Sequence, residues 1–153
     1  MPDPSFQSLI PDNFCFGCGP ANPDGLHIES YWSGPDESVS TYHPKPHQAA
    51  GPKGVVNGGI IATLIDCHCV CTAIAWAYRA ESREIGSQPL IWYATGSLNV
   101  KYLRPAPIDR PLRLRARIEE AGAKRTVLSC RLSSQGEACA QGEVIAVLSL
   151  IHI

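Results

Sequence analysis

Residues 57–80 of the chain read NGGIIATLIDCHCVCTAIAWAYRA, and this stretch decides the fold. Asn57 is a residue type that often caps a helix, and the apolar run after it is long enough for about five or six helical turns. The run is apolar on nearly all sides, so a helix formed from it has to be buried on most of its faces. We therefore expect one long central helix with a β-sheet wrapped around it.

Strand-like segments flank this helix on both sides, separated by residues that favour turns. In the stretch LRLRARI (112–118), for example, apolar residues alternate with arginines, which predicts a strand with one buried face and one exposed face. Two strands, one helix and four further strands predict an α+β fold. The predicted strands are 26–32, 37–42, 93–103, 111–120, 125–133 and 138–151.

The length of 153 residues is about that of one domain. Residues 1–25 are rich in proline and glycine, which disrupt regular hydrogen-bond ladders and predict an extended arm or loop. The rest of the sequence contains no internal repeat. We therefore expect an arm over 1–25 followed by a single domain over 26–153.

Composition and charge restrict the possible functions. The formal net charge is -1, and the arginines and lysines are scattered, which disfavours a nucleic-acid partner. The N-terminus has no secretory signal pattern, and no apolar run approaches the roughly 20 residues that cross a bilayer. We therefore expect a cytoplasmic protein without a membrane partner. Its seven cysteines should be reduced thiols, and those in the helix should act as small buried residues.

Asp66 is the unusual residue of the central helix, because it is a carboxylate among apolar neighbours. It lies two turns into the helix, beyond the reach of the helix dipole, and buried acids are rare unless they are paired. Two structural explanations are open: Asp66 lies on a single solvated stripe, or a structural hydrogen bond satisfies it. The third explanation is that Asp66 is a catalytic group.

The glycine pair Gly58-Gly59 at the start of the helix is a second candidate feature. Unobstructed backbone N–H groups at the positive end of a helix stabilise an oxyanion, although such a pair also serves simple helix–sheet packing. Gly58 and Asp66 are eight residues apart, which is about 12 Å along a helix axis. A site that uses both therefore takes one from each of two chains, with two helices packed antiparallel about a two-fold axis.

The motifs around these residues resemble the hotdog-fold thioesterases of the phenylacetyl-CoA thioesterase type. The resemblance covers nearly the whole chain. It is carried by VVNGGIIATLID (55–66), by HQAAGPKG (47–54) before it and by TGSLNVKYLRPAPI (95–108) after it. The stretch CFGCGPANPDGL (15–26) also resembles an arm found in many uncharacterised relatives.

The resemblance implies a hotdog fold, in which an antiparallel sheet wraps a long helix, and a homodimer that often pairs into a tetramer. By position, Asp66 corresponds to the nucleophile or general base and Gly58 to the oxyanion N–H. Thr95 corresponds to the hydroxyl that positions water or the acyl group. The expected activity is hydrolysis of an acyl-CoA without a metal or organic cofactor. The alternatives are a non-catalytic acyl-CoA-binding protein and, ranked last, a hydratase or dehydratase.

Asn57 departs from the family pattern, which usually has histidine there. Asparagine still caps a helix and hydrogen-bonds a carbonyl, but it does not titrate near neutral pH. We expect it to bind substrate rather than to catalyse, together with Gly59 and the loop residue Gln48, for which an ordinary loop amide is an equal alternative.

Cationic side chains on loop edges are the candidates for binding the CoA phosphates, because phosphate prefers lysine and arginine partners. They are Arg104, Lys124 and Arg125. An equal alternative is that these three are ordinary solvated surface charges.

A zinc site is the remaining candidate. Cys15 and Cys18 have zinc-ligand spacing, and His27, His43 or His47 offer further ligands. The second cysteine pair that makes such a pattern specific is lacking, so we expect an ordinary pair of loop cysteines and no metal.

Overall fold

The structure is a computed structural model that describes residues 2–149. One long helix, α1, lies against a six-stranded antiparallel sheet. The order of the strands across the sheet is β1-β2-β4-β5-β6-β3. This confirms the predicted α+β arrangement. The elements are β1 (Tyr31–Trp32), β2 (Glu37–Tyr42), α1 (Gly58–Ala80), β3 (Tyr93–Tyr102), β4 (Leu112–Ala121), β5 (Arg125–Ser134) and β6 (Glu137–Leu148).

The helix packs closely on the inner face of the sheet. Leu64 and Ile65 of α1 are fully buried, as are Leu112 and Leu114 of β4. The two approach closely at Gly142 of β6, where an added Cβ would lie 2.5 Å from Cγ2 of Ile65. The outer face of β4 carries its arginines in solvent, as the alternating pattern predicted.

By length and composition α1 is capable of crossing a membrane, contrary to the expectation that no apolar run approaches that length. Most of the apolar residues of α1 are instead buried in this structure. The apolar character of α1 is therefore explained by the sheet that covers it, as in the core helix of a soluble protein.

The predicted strand 26–32 is wrong over most of its length, since only Tyr31–Trp32 is a strand. The N–H of Leu26 donates to Phe16 O at 2.7 Å, and the N–H of Ile28 donates to Gly17 O at 3.1 Å. These residues therefore bond to the N-terminal arm instead of a neighbouring strand. The other strand bounds agree within a few residues, and positions 150 and 151 of the last predicted strand lie outside the described residues.

Strand β3 occupies one edge of the sheet and pairs only with β6 within the described chain. It is ten residues long, and most of its residues are exposed. A long edge strand presents a row of unpaired backbone N–H and C=O groups, which is a template for pairing with another strand. The fold therefore leaves the outer edge of β3 free to pair with another strand.

Candidate active site

Asp66 lies in the third turn of α1 and is partly buried. Thr95 Oγ1 donates a hydrogen bond of 2.7 Å to Asp66 Oδ1. Thr95 shares a face of β3 with the buried Tyr93, two residues earlier, and this places its hydroxyl on the helix side of the sheet. A bulge in the pairing of β3 with β6 follows directly, between Thr95 and Ser97.

Burial and a hydrogen bond shift the pKa of the Asp66 carboxyl in opposite directions. Burial raises the pKa of the Asp66 carboxyl above its ordinary value, and the hydrogen bond from Thr95 opposes that shift. No group among residues 2–149 hydrogen-bonds Oδ2. The arrangement thus leaves one carboxylate oxygen held by a hydroxyl and the other available to a ligand.

Asn57 caps α1, as the sequence predicted. Its Oδ1 accepts hydrogen bonds from Gly59 N at 2.8 Å and from Ile60 N at 3.2 Å. Its backbone O accepts from Ile61 N at 3.2 Å. Within the described chain this leaves Gly58 N–H as the only N–H of the first turn without an acceptor, at the positive end of the dipole.

The two halves of the predicted site are fixed to opposite ends of β3. Tyr102 donates a hydrogen bond of 2.7 Å from its hydroxyl to Gly58 O, whereas Asp66 is bonded to Thr95 at the other end. Thr95 and Tyr102 are seven residues apart, or about 23 Å in an extended strand. One chain therefore does not bring Gly58 and Asp66 to the same substrate atom.

Gln48 is buried and its side chain is held in a fixed orientation. Its Oε1 accepts from Tyr42 Oη at 2.8 Å and from Lys45 N at 2.9 Å. A cavity of about 530 Å³ is lined by Gln48, Asn57, Ile60 and several residues of the arm, Phe16 among them. Because Oε1 is occupied, the amide nitrogen of Gln48 is the group left to bind a ligand carbonyl.

The three expected phosphate-binding cations do not converge within one chain. Arg104 follows the Tyr102 end of β3 and forms an ion pair with Glu137. Lys124 lies in the turn between β4 and β5, Arg125 is the first residue of β5, and both are exposed. This turn is at the Thr95 end, since Leu148 N donates to Lys124 O at 2.8 Å and Leu148 pairs with Tyr93.

His68 lies in a buried polar network that sequence reasoning missed. Its Nδ1 is 2.8 Å from Ser30 Oγ, and its Nε2 is 3.2 Å from Ser38 Oγ. Ser38 Oγ is in turn 2.7 Å from Thr72 Oγ1, which donates to His68 O at 2.7 Å. Burial lowers the pKa of His68 to about 4. The one available signal was the spacing of His68 and Thr72, which places two polar residues on one helix face.

The chain resembles known proteins in sequence and in fold. The sequence model of the thioesterase superfamily matches residues 53–140. A thioesterase superfamily protein of Shewanella loihica PV-4 is 33% identical, covering 84% of this chain and 96% of its own, with a TM-score of 0.65. A phenylacetic acid degradation-related protein of Ralstonia eutropha JMP134 is 23% identical, covering 80% and 85%, with a TM-score of 0.64.

A further solved structure, a protein of Streptococcus mutans UA159 bound to acetyl CoA, shares the fold. It is 15% identical, covering 80% of this chain and 88% of its own, with a TM-score of 0.65. No curated protein matches the chain.

Proposed function

Because the chain belongs to the thioesterase superfamily and has the hotdog fold of its structural relatives, we propose that it hydrolyses an acyl-CoA. Asp66 is the nucleophile or general base, and Gly58 N–H stabilises the oxyanion. The observation that carries this proposal is the hydrogen bond from Thr95 to Asp66, which leaves Asp66 Oδ2 free in a partly buried position. A carboxylate that burial makes more basic, with one oxygen oriented, is suited to either role.

The active site is shared between two copies of the chain. Pairing of β3 with its copy about a two-fold axis, centred between Leu98 and Asn99, places Thr95 opposite Tyr102 of the partner subunit. This pairing brings Asp66 close to the partner's Gly58, because Asp66 is hydrogen-bonded to Thr95 and the partner's Gly58 is hydrogen-bonded to the partner's Tyr102. The exposed edge of β3 supports this homodimer.

Two chemical routes are open to Asp66. In one, Oδ2 attacks the thioester carbon, the C–S bond breaks with release of the CoA thiolate, and water hydrolyses the resulting anhydride. In the other, the carboxylate takes a proton from water while the water oxygen adds to the carbon, and the tetrahedral intermediate expels the thiolate. In both routes the negative oxygen faces the N–H of the partner's Gly58, and the thiolate leaves without a metal.

The same dimer explains the separated cations. Arg104 lies beyond the Tyr102 end of β3, whereas Lys124 and Arg125 lie at the Thr95 end. An antiparallel pair of β3 strands puts the partner's Arg104 on the same side of the site as Lys124 and Arg125. We propose that these three bind CoA phosphates. The acetyl CoA bound to the Streptococcus mutans relative supports a CoA ester as substrate.

The substitution Asp66→Asn tests the proposal. Asparagine is isosteric and its Oδ1 still accepts from Thr95, so the fold is retained. We expect a loss of about 10²–10⁴-fold in kcat with a panel of aliphatic and aromatic acyl-CoA esters, measured as released thiol. Asp109→Asn, at an exposed acid outside the site, is the matched control. Turnover of Asp66→Asn equal to that of the control would remove Asp66 from the mechanism.

A non-catalytic acyl-CoA-binding role is the second candidate. It is favoured by Asn57, whose side-chain oxygen is fully used in capping α1. Tight binding of acyl-CoA by the wild-type protein, with no thiol released on the whole panel, would support binding alone. A hydratase is disfavoured because His68 is buried against Ser30 and Ser38 instead of lying beside Asp66.

A further inference from the structure

Two pairs of cysteines meet between the N-terminal arm and α1. Cys15 and Cys18 belong to the arm, and Cys67 and Cys71 lie one helical turn apart on α1. The sulfurs of Cys15, Cys18 and Cys67 are all within 4.8 Å of one another, and that of Cys15 is 3.7 Å from that of Cys67. We count Cys71 as the fourth member, because it is buried and lies one helical turn after Cys67 on the same face of α1. We call these four residues the cysteine cluster.

We propose that the cysteine cluster is a Zn²⁺ site with all four thiolates as ligands. A Zn–S bond of 2.3 Å in tetrahedral geometry separates two sulfurs by about 3.8 Å, and the sulfurs of Cys15 and Cys67 are 3.7 Å apart. The arm supplies the Cys-x₂-Cys spacing of structural zinc sites. The helix supplies Cys-x₃-Cys, the i, i+4 spacing that puts two ligands on one face.

The proposed site differs from the expectation from the sequence. The second cysteine pair, which the sequence around the arm lacks, is supplied by α1 about fifty residues later. None of the three histidines weighed as ligands belongs to the cysteine cluster. Cys18, Cys67 and Cys71 are 5%, 7% and 6% exposed. The site is therefore closed on most sides, as structural zinc sites are.

The arm is shaped to hold its two cysteines against the helix. The side chain of Asn13 accepts a hydrogen bond of 2.9 Å from Cys15 N and donates one of 3.4 Å to Cys18 Sγ. Gly17 lies so close to α1 that an added Cβ would be 2.3 Å from Cys67 Sγ. Hydrogen bonds to ligand sulfurs orient them and tune metal affinity, so Asn13 is the outer partner of the site.

The position of the site gives it a structural role beside the proposed active site. Cys67 directly follows Asp66 on α1, and the arm that carries Cys15 and Cys18 also lines the cavity of Gln48 and Asn57. A metal held by both elements fastens the arm to the helix and fixes that wall of the cavity.

Metal content of the full-length protein tests the inference independently of its activity. Protein purified under reducing conditions, stripped with a chelator and reconstituted with Zn²⁺ should hold one zinc ion per chain by plasma mass spectrometry. Replacement by Co²⁺ should give tetrahedral visible bands and intense near-ultraviolet thiolate-to-cobalt bands. Cys15→Ser should weaken Zn²⁺ binding at least about 100-fold, since loss of an outer-shell partner alone costs 10–100-fold. Cys139→Ser, at a buried cysteine outside the cluster, should bind as the wild type does.

A second measurement uses the wild-type chain and does not depend on a variant folding. Zn²⁺ should slow alkylation of Cys15, Cys18, Cys67 and Cys71 at least about tenfold in peptide mass spectra, and a chelator should restore the rate. The proposal is overturned by substoichiometric zinc after reconstitution, by Co²⁺ spectra without thiolate bands, or by equal metal loss in Cys139→Ser. A Cys15–Cys67 disulfide in place of the metal, in protein kept reduced, would also overturn it.

Discussion

Gly58→Pro removes one backbone N–H from the start of α1 and leaves the rest of the helix in place. Gly58 is the first helical residue, where proline is favoured because its ring fixes a helical φ and its missing N–H has no partner in the helix. Asn57 has φ -57° and ψ 136°, and this extended ψ lies outside the α region that a following proline disfavours. The cap on Gly59 and Ile60 and the acceptor Gly58 O are untouched.

The expected loss of turnover in Gly58→Pro follows from the loss of a single hydrogen-bond donor. Asn57 occupies the next two N–H groups, so Gly58 N–H is the donor left for an oxyanion. Loss of one such donor costs about 10²–10³-fold in kcat, or roughly 2.7–4 kcal/mol of transition-state stabilisation. KM should change little, because the bond strengthens only as negative charge develops on the oxygen.

Gly58→Ala is the matched control. A Cβ at this position would lie 3.6 Å from the ring of Tyr102, an ordinary contact, and alanine keeps the N–H. Steady-state release of CoA thiol should be measured for both variants, after circular dichroism and sedimentation have verified equal fold and equal oligomeric state. Turnover of Gly58→Pro within threefold of Gly58→Ala would refute the oxyanion role, and an equal large loss in both would indicate steric obstruction.

Two further predictions concern the neighbours of these groups. Thr95→Val should lower kcat by about 10- to 100-fold, the value of a hydrogen bond to a charged group, whereas Thr95→Ser should retain most activity; equal turnover in the two would contradict the orienting role. His68 should make the protein acid-sensitive. The pKa of its imidazole is about 4 in the folded chain and near 6.5 in the unfolded chain, so the unfolded chain binds the proton first as the pH falls. The free energy of unfolding should therefore drop by on the order of 3 kcal/mol between pH 6.5 and pH 4. Urea unfolding at several pH values should show a shallower drop in His68→Gln, and identical slopes would refute this.

The elements that local pattern determines were predictable from the sequence. Because α1 is apolar on nearly all sides, only a buried helix satisfies it, and its predicted start at Gly58 is the observed one. The alternation of leucine and arginine in β4 specified both the strand and which face meets the core. In each case the decisive signal lies within one element, so no knowledge of distant residues was needed.

The features that were missed depend on contacts between distant parts of the chain. Residues 26–30 have strand-like composition, but their N–H groups are taken by the arm, at Phe16 and Gly17. The orientation of Gln48 is set by Tyr42 across a loop. The cysteine cluster joins Cys15 to Cys67 across fifty-two positions, and no local spacing rule connects residues so far apart.

Three consecutive residues of α1 show how one helical turn serves three different parts of the fold. Successive side chains on a helix are rotated by about 100°. Asp66 therefore meets Thr95 of β3, Cys67 meets Cys15 of the arm, and His68 meets Ser38 of β2. Because the three contacts share one rigid backbone segment, a change that loosens the arm or β2 also displaces the carboxylate. The position of the Asp66 carboxylate consequently depends on residues that never contact a substrate.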